Sequence, residues 1–409
     1  MTTPTKTPKT EENSPKTLFG LPKEVQFCKK CVMSNQRPSS TVEFKNLDKK
    51  ETLAFDDEGV CSACRIHERK WDGIDWGARQ KDLEELLDRH RSSDGSYDVI
   101  VPGSGGKDSM YVSHVLKYKF GMHPLTITWP PHMYTDIGRI NFDAWIAAGF
   151  DNVSFTPNGD VHRLLTREAF LNLLHPFQPF ILGQKNIGPK MALQYGVKLI
   201  VYGENEAEGG SRIKFNNTMN TQFFASPRDE RRDVVIGKRS YNELIDLGLS
   251  HHDLEPYLPI ALEDLQEAGI EMHYMSFYEN WRCQEKYYFA QEHCGFQPNP
   301  ERTEGTYTKF ASLDDKIDGL QYYTTHIKFG IGRATYDAAY DIRHRYIDRD
   351  EGVALVKRYD GEFPQKYFQD CLDYMEINEE QFYETLDNFR SPHLWMKEAD
   401  EWKLRHTVK

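Results

Sequence analysis

The sequence lacks any apolar run long enough to cross a lipid bilayer, and its first residues do not follow the pattern of a signal peptide. Together these absences predict a cytoplasmic protein with no membrane partner. The chain shows no internal repeat, and its biased composition is confined to the beginning. Residues 1–22, which start rich in Thr, Pro and Lys, are predicted to form a disordered tail.

An excess of positive charge is also missing. The chain has 51 Lys and Arg against 63 Asp and Glu, a formal net charge of -12. Because affinity for a nucleic-acid backbone comes from clustered cations, a nucleic-acid partner is not expected. With 409 residues, of which 39% are hydrophobic, the chain can bury a large core in two or three units, as an enzyme does.

A Walker-type phosphate loop is absent as well. The segment Tyr97–Val101 predicts a strand that runs into a glycine-rich turn and then into a helix. A Walker loop would need glycine in place of Val101 and Ser or Thr in place of Asp108. Pro102 fits poorly, because it removes a hydrogen-bond donor where a central strand should end. The turn is therefore expected to be another kind of phosphate-binding loop.

The turn Ser104–Ser109 supplies backbone N–H groups, the positive end of a helix, a lysine, two hydroxyls and a carboxylate that can hold Mg²⁺. These groups suit the pyrophosphate part of ATP. The six residues also match S-G-G-x-D-S, the signature of the PP-loop ATP pyrophosphatases, which cleave ATP between its α and β phosphates. The alternative is a plain glycine turn between a strand and a helix. The predicted nucleotide-binding residues are Ser104, Gly105, Gly106, Lys107, Asp108 and Ser109, with Asp108 as the magnesium ligand.

Strand and helix patterns alternate after this turn. Strands are predicted at 125–129, 152–156 and 198–203, and helices at 109–119, 136–148, 160–174 and 185–195. The alternation predicts an α/β fold with a doubly wound parallel sheet. The match to the S-G-G-x-D-S signature implies that this fold is of the PP-loop, adenine nucleotide alpha hydrolase-like type. Ligands of such sheets lie beyond the carboxyl ends of the strands, so Ser104–Ser109, Trp129–His132 and Gly203–Asn205 are expected around one crevice.

An acidic segment follows the last of these strands. Its position predicts that Glu204 and Asn205 orient a substrate or a metal-bound water, whereas the alternative is an ordinary acidic surface loop. Trp129 and Gly203 are predicted to contact the nucleotide from the ends of their strands.

A second group of cations stands later in the chain. Lys328 and Arg333 flank a glycine-rich stretch that does not fit a dinucleotide-binding fingerprint, because Thr335 stands where the third glycine is needed. Two fixed cations there would offset the charge that develops on a departing pyrophosphate. We therefore predict a catalytic role for both, and the alternative is an exposed charged turn.

Four of the seven cysteines form two C-x-x-C pairs. Two such pairs at this spacing predict a tetrahedral Cys₄ zinc site, which leaves no coordination position open for water and is therefore structural. A redox dithiol and an iron–sulfur cluster are the alternatives. Cys283, Cys294 and Cys371 lack partner spacing and are predicted to be buried structural thiols. The predicted zinc ligands are Cys28, Cys31, Cys61 and Cys64.

These signals divide the chain into four parts. The predicted parts are a disordered tail at 1–22, a zinc ribbon at 23–75, a PP-loop domain at 76–348 and a helical C-terminal region at 349–409. The region after residue 240 is rich in aromatic residues, most of which are expected in the core.

Several motifs occur in a defined order along the chain. They are Cys28-x-x-Cys31-Val-Met33, Asp57-x-Gly59-Val-Cys61-x-x-Cys64, Ser104–Ser109, Tyr202-Gly-Glu-Asn205, Lys328-Phe-Gly-Ile-Gly-Arg-Ala-Thr335, Asp337, Ile342-Arg343 and Lys357-Arg-Tyr-Asp360. This set resembles the N-acetyl sugar amidotransferases, a PP-loop family, over about residues 25–365.

The resemblance implies an enzyme that uses ATP to convert an acetamido group into an acetamidino group. The expected substrate is a nucleotide-linked or free acetamido sugar of lipopolysaccharide O-antigen or pseudaminic acid biosynthesis. The chain shows no obvious glutaminase residues, and the resemblance implies that ammonia comes from glutaminase and ammonia-channelling partner proteins. The alternatives are a PP-loop tRNA sulfurtransferase, which needs a thiol pair and a basic face, and a non-enzymatic nucleotide-binding scaffold.

Overall fold

A five-stranded parallel sheet lies at the centre of the structure, a computed structural model that describes residues 15–38, 51–204, 206–210 and 224–409. Its strands lie in the order β3-β2-β1-β4-β9, and every neighbouring pair is parallel. Its inner strands are almost completely buried, as expected when helices cover both faces. The strands are β1 Val99–Pro102, β2 Pro124–Thr128, β3 Asp151–Ser154, β4 Leu199–Tyr202, β5 Ala225–Ser226, β6 Val235–Ile236, β7 Arg239–Ser240, β8 Ile260–Ala261, β9 Glu271–Tyr274, β10 Trp395–Glu398 and β11 Glu401–Leu404.

Helices alternate with the strands and then dominate the C-terminal half. A π-helical turn, Val115–Lys119, continues α3. The helices are α1 Ser62–Asp72, α2 Trp76–His90, α3 Lys107–His114, α4 Asp136–Ala147, α5 Gly159–Leu173, α6 Gln178–Tyr195, α7 Tyr241–Asp246, α8 His251–Leu254, α9 Leu262–Ala268, α10 Met275–Tyr278, α11 Cys283–Cys294, α12 Lys316–Phe329, α13 Arg333–Arg343, α14 Arg349–Tyr359, α15 Phe368–Met375 and α16 Glu379–Phe389.

The strand order confirms the predicted α/β fold with a parallel sheet. From β1 the chain proceeds to β2 and β3 on one side, and later to β4 and β9 on the other. The carboxyl ends of β1 and β4 therefore face the point where the direction of winding reverses, which is where open α/β sheets bind ligands. Pro102 is the last residue of β1, and Gly103 donates its N–H to Ile127 O at 2.9 Å, so pairing with β2 continues past the proline.

The ribbon and the C-terminal region share one hydrophobic core, although the sequence predicts them as separate parts. This core contains the four ribbon cysteines together with Val353, Phe368 and Phe382 from the C-terminal helices. In addition, Arg349 Nε donates to Cys31 O at 3.3 Å. The C-terminal region therefore packs on the cysteine-containing ribbon and does not form a separate appendage.

Two boundary predictions need correction. The predicted tail 1–22 is packed in its described part, since Leu21 is buried and the Phe19 ring lies 5.6 Å from that of Phe389. The predicted helical region 349–409 ends in an antiparallel hairpin formed by β10 and β11. The packing of the N-terminal segment depends on contacts between the two ends of the chain, which local patterns do not report, whereas the hairpin is a local pairing that the helical prediction overlooked. In the described ranges, every helix is too short or too polar to cross a membrane.

Candidate active site

The loop between β1 and α3 has the geometry of a phosphate cradle. Gly105 has φ +85°, and a Cβ there would lie 2.7 Å from Phe142 Cα, so only glycine fits. Gly106 precedes the first helical residue and no side chain caps the helix, which leaves the first N–H groups of α3 for a ligand. Ser104 forms a side-chain hydrogen bond with Asp314, and Ser109 Oγ donates to Gly106 O at 3.0 Å. These contacts fix the conformation of the loop at the end of β1.

Lys107 and Asp108 begin α3 and pair with each other. The Lys107 Nζ lies 2.6 Å from Asp108 Oδ2. Burial by itself lowers the pKa of Lys107, because it disfavours the charged ammonium. The attraction of the Asp108 carboxylate and of the other acidic groups nearby is together the larger effect and raises this pKa, so Lys107 stays charged at neutral pH. The other carboxylate oxygen, Asp108 Oδ1, is buried and has no hydrogen-bond partner among the described residues. A carboxylate oxygen without a hydrogen-bond partner is a suitable ligand for a magnesium ion, which prefers oxygen ligands.

Glu204 follows β4 and approaches the same loop. A Cβ on the preceding residue, Gly203, would lie 3.4 Å from Asp108 Cβ, so the ends of β1 and β4 meet here as predicted. Burial, followed by the charges of Glu208 and Asp108, raises the pKa of Glu204 to about 8. Asn205, predicted beside it, lies outside the described residues.

One cavity of about 370 Å³ joins these groups to side chains from residues 308–343. Helix α13 contributes most of its far wall, with polar and aromatic side chains that recur at helical spacing from Arg333 to Arg343. The residues that line the cavity are Arg37, Lys107, Asp108, Glu204, Gly209, Cys283, Thr308, Phe310, Ala311, Tyr322, Arg333, Tyr336, Asp337, Tyr340, Asp341 and Arg343.

The cations of this wall are held in place by neighbouring side chains. Arg333 Nε lies 3.0 Å from Asp337 Oδ1, and its guanidinium stands 4.4 Å from the centre of the Tyr322 ring. Arg343 Nε and Nη1 are buried and have no hydrogen-bond partner among the described residues. Buried guanidinium N–H groups of this kind are suited to bind an anionic ligand group.

Cys283 also lines the cavity, which corrects its prediction as a purely structural thiol. Burial raises the pKa of this thiol, and it forms a side-chain hydrogen bond with Tyr340. A neutral thiol is a poor nucleophile. Nothing in the sequence indicates that Cys283 and Arg37 line a cavity, because their neighbours there come from distant parts of the chain. The polar side chains that recur at helical spacing along α13 were, in contrast, a signal that the sequence itself contains.

Two predicted site residues lie elsewhere. Lys328 is buried on α12, where its Nζ donates to Leu173 O at 2.5 Å and lies 4.8 Å from the centre of the Phe19 ring. It is six positions from Tyr322, about 120° away around the helix, and therefore points away from the cavity. Trp129 is only 2% exposed and packs against Phe155 in the core beneath the sheet. The structure thus separates both side chains from the phosphate loop.

A second candidate centre lies in the ribbon. Four buried cysteines place their Sγ atoms within 4.8 Å of one another, a cluster that could hold a metal ion. The Cys28–Cys64 and Cys31–Cys61 Sγ distances are 3.9 and 3.8 Å. Tetrahedral coordination with Zn–S bonds of about 2.3 Å requires sulfur atoms about 3.8 Å apart. Backbone N–H groups also point at sulfur, as Cys61 N does toward Cys28 Sγ at 3.3 Å.

Fold and sites together define an α/β protein with a parallel central sheet, a glycine-rich loop before a helix start that no described side chain caps, a Cys₄ cluster and a helical C-terminal region. Residues 304–409 match the model of the C-terminal domain of WbpG-like LPS biosynthesis proteins, which supports the resemblance drawn from the motifs. No curated protein matches the chain.

Two solved structures show weak similarity. An NMN synthetase from Francisella tularensis is 13% identical, covers 48% of this chain and 93% of its own, and has a TM-score of 0.25. A trans-2-enoyl-CoA reductase from Clostridium acetobutulicum, in complex with NADH, is 12% identical, covers 78% of this chain and 89% of its own, and has a TM-score of 0.19. TM-scores this low do not define a shared fold.

Proposed function

We propose that this chain is an ATP-dependent, AMP-forming amidotransferase that converts the acetamido group of a bacterial surface-polysaccharide sugar into an acetamidino group. The sugar is free or nucleotide-linked, and ammonia is the nitrogen donor. One observation carries the proposal. The cavity of about 370 Å³ brings the phosphate loop together with the WbpG-like region, which supplies ten of the sixteen lining residues.

The first chemical step activates the amide. An amide carbon is a poor electrophile, but the amide oxygen can attack the α-phosphorus of ATP. Pyrophosphate then leaves, the amide nitrogen loses its proton to solvent, and an O-adenylated imidate remains. The charge that develops on pyrophosphate is offset by Lys107, by the N–H groups at the start of α3 and by Arg333 across the cavity. Asp108 would hold a magnesium ion, which when bound supplies further charge neutralisation at the phosphates.

The second step replaces oxygen by nitrogen. Ammonia attacks the imidate carbon, AMP leaves with the former amide oxygen, and the adduct loses a proton to become the amidine. We assign this proton to Glu204, and the assignment is supported by its position in the cavity that Lys107 and Asp108 also line. Its pKa of about 8 means that the ionised form is a stronger base than an ordinary carboxylate.

The Cys₄ cluster is proposed to hold structural zinc. All four cysteines are buried, and their sulfur separations fit a tetrahedral ion with no open position. The alternative iron–sulfur cluster has several metal ions and would need more room between the sulfur atoms than a single ion does. Zinc in this place stabilises the ribbon and takes no part in the reaction.

The nitrogen source is proposed to be a separate glutaminase, with a protein that channels ammonia. A glutaminase of the cysteine type needs an activated thiolate, whereas burial raises the pKa of the Cys283 thiol in the cavity. A tRNA sulfurtransferase would need a pair of thiols beside the nucleotide. Within the described ranges, Cys283 is the one cysteine that lines the cavity. The site therefore favours the amidotransferase.

The proposal is tested with purified protein, ATP, magnesium and ammonium. Candidate acetamido sugars are supplied free and as nucleotide conjugates. We expect AMP and pyrophosphate to form with a sugar whose mass falls by one unit, because O is replaced by NH. Release of ADP and phosphate would mean cleavage at the γ-phosphorus and would contradict the proposal. AMP formation that depends on tRNA and a sulfur donor would favour the sulfurtransferase.

A further inference from the structure

The segment that carries Glu204 is attached to the ribbon, and this attachment has a functional consequence. We propose that the buried Lys70–Glu208 ion pair is a positioning element of the active site, which holds the segment after β4 so that Glu204 faces the phosphate loop. Lys70 acts from the same helix that carries a cysteine of the metal cluster. The inference rests on the proposed function for the role of Glu204.

The ion pair itself is the main link. Helix α1 starts directly after Cys61, contains Cys64 in its first turn and carries Lys70 further along. The Lys70 Nζ lies 2.5 Å from Glu208 Oε2, and the two side chains are 3% and 0% exposed. Breaking a fully buried pair by removing one partner leaves an uncompensated charge and is strongly destabilising. The pair therefore defines where the segment after β4 lies.

Close backbone packing reinforces the pair. Gly210 has φ +83°, and a Cβ there would lie 2.2 Å from Leu53 Cδ1 and 3.1 Å from Ser62 Oγ. The segment thus runs directly against the ribbon on the far side of Glu208. Gly209, between these two residues, lines the cavity. A small shift of the ribbon would therefore move the cavity wall.

Helix α1 also reaches the opposite wall of the cavity. The His67 ring stands edge-on to that of His344, with 4.6 Å between the ring centres, and 6.2 Å from that of Tyr340. Tyr340 lines the cavity from α13. One helix of the ribbon therefore contacts both the Glu204 segment and the WbpG-like wall.

Electrostatics give the pair a measurable signature. The charged and titratable groups that face Glu204 are Glu208 from its own segment, Lys107 and Asp108 from α3, Lys70 from α1, Cys283 from α11 and Tyr340 from α13. Among them, the Lys70 cation lowers the pKa of Glu204 and the Glu208 carboxylate raises it. Removal of Lys70 alone is therefore expected to raise the pKa of Glu204, and removal of Glu208 alone is expected to lower it.

The test uses Lys70→Met and Glu208→Gln, which keep the side-chain volumes. We expect each variant to lower kcat for AMP formation by about tenfold to a hundredfold, as for a slightly misplaced catalytic group. The Kd for ATP should change by roughly twofold or less, because the phosphate loop is intact. The limb of the pH profile that reports Glu204 should move to higher pH in Lys70→Met and to lower pH in Glu208→Gln. Metal content should stay unchanged.

Hydrogen exchange provides a readout independent of activity. Peptides covering residues 203–210 should exchange faster in both variants. They should not do so in Arg239→Gln, the matched control, which breaks the Arg239–Glu168 ion pair away from the cavity. Unchanged exchange, or pH limbs that do not separate, would overturn the proposal.

The double variant Lys70→Met/Glu208→Gln is the control for loss of folding in the single variants, because it removes both buried charges at once. A normal melting temperature with a low kcat supports positioning, whereas restored kcat would show that the pair acts through stability alone and would overturn the inference. If the wild-type protein forms no AMP, the proposed function fails, but ATP binding and exchange still test the attachment of the segment.

Discussion

The Lys107 Nζ lies 2.6 Å from Asp108 Oδ2, so two consecutive residues at the start of α3 form an ion pair beside the phosphate loop. This arrangement directs a cation and a carboxylate toward the same cavity. Because Lys107 engages one oxygen, the other oxygen of Asp108 stays available for a ligand. The pair therefore places, on adjacent residues, a cation and a carboxylate oxygen that is unpartnered within the described ranges, which is the arrangement that the proposed roles in phosphate and magnesium binding require.

The first prediction concerns Asp108. Asp108→Asn keeps the shape of the side chain but removes the charge that would hold magnesium, so AMP formation should fall by roughly a hundredfold or more. The melting temperature should stay close to that of the wild type. Asp136→Asn, at the start of α4, is the matched control and should keep full activity. Wild-type rates for Asp108→Asn at limiting magnesium would exclude the assigned role.

The second prediction compares two glycines with similar backbone angles. Gly105 and Gly95 have φ +85° and +87°, but an added Cβ meets Phe142 in the first case and nothing within 4 Å in the second. Gly95→Ala should cost about 1–2 kcal/mol of unfolding free energy from the left-handed backbone alone. Gly105→Ala should cost more and should also weaken ATP binding. Equal effects of the two substitutions, measured by denaturant titration and calorimetry, would contradict a steric role for Gly105.

The third prediction concerns pH. Burial raises the pKa of Glu204 from 4.5 to about 8, so the folded protein holds this proton more tightly than the unfolded chain. The contribution of Glu204 to the free energy of unfolding should therefore fall as pH rises from 4.5 to about 8. Glu204→Gln should remove this pH-dependent contribution. The rate of amidine formation should rise over the upper part of the same range, as the carboxylate forms. Rates must be compared at constant free ammonia, and an unchanged profile in Glu204→Gln would show that another group accepts the proton.

The fourth prediction concerns the metal. We expect about one zinc ion per chain, bound by Cys28, Cys31, Cys61 and Cys64. Cys61→Ser should lower both the zinc content and the melting temperature, because metal binding and folding of the ribbon are coupled. Cys294→Ser changes a cysteine that is equally buried but outside the cluster, and should leave the zinc content unchanged. Elemental analysis that finds iron and sulfide would contradict the assignment.

The fifth prediction concerns the ammonia donor. The isolated chain should use high concentrations of ammonium but not glutamine, because the cavity thiol Cys283 is kept protonated by burial. Addition of the glutaminase partner should confer glutamine dependence. Cys283→Ser should leave the ammonium-driven rate within about twofold of the wild type. Glutamine-driven turnover by the chain alone would refute the need for a partner.

Local patterns in the sequence predicted four of the five strands of the central sheet and the chemistry of two short segments, but β9, in the aromatic-rich region after residue 240, was not predicted. The alternation of strands and helices predicted β1 to β4 to within a few residues, because hydrophobic periodicity is a local property. Glycine spacing identified the loop Ser104–Ser109, and the paired C-x-x-C motifs identified the cysteine cluster. The main length error was α6, which starts at Gln178 and not near residue 185.

Only the tertiary structure decided which side chains share the cavity. Lys328 and Arg333 are five residues apart in the sequence, yet one is buried against Leu173 while the other lines the cavity. Cys283 and Arg37 reach it from distant segments that no local pattern connects. Periodicity reports that a residue is buried but not what it is buried against, because that depends on how distant segments pack. For this protein, the sequence by itself determined the glycine-rich loop and the cysteine cluster, and long-range packing decided how the two are joined.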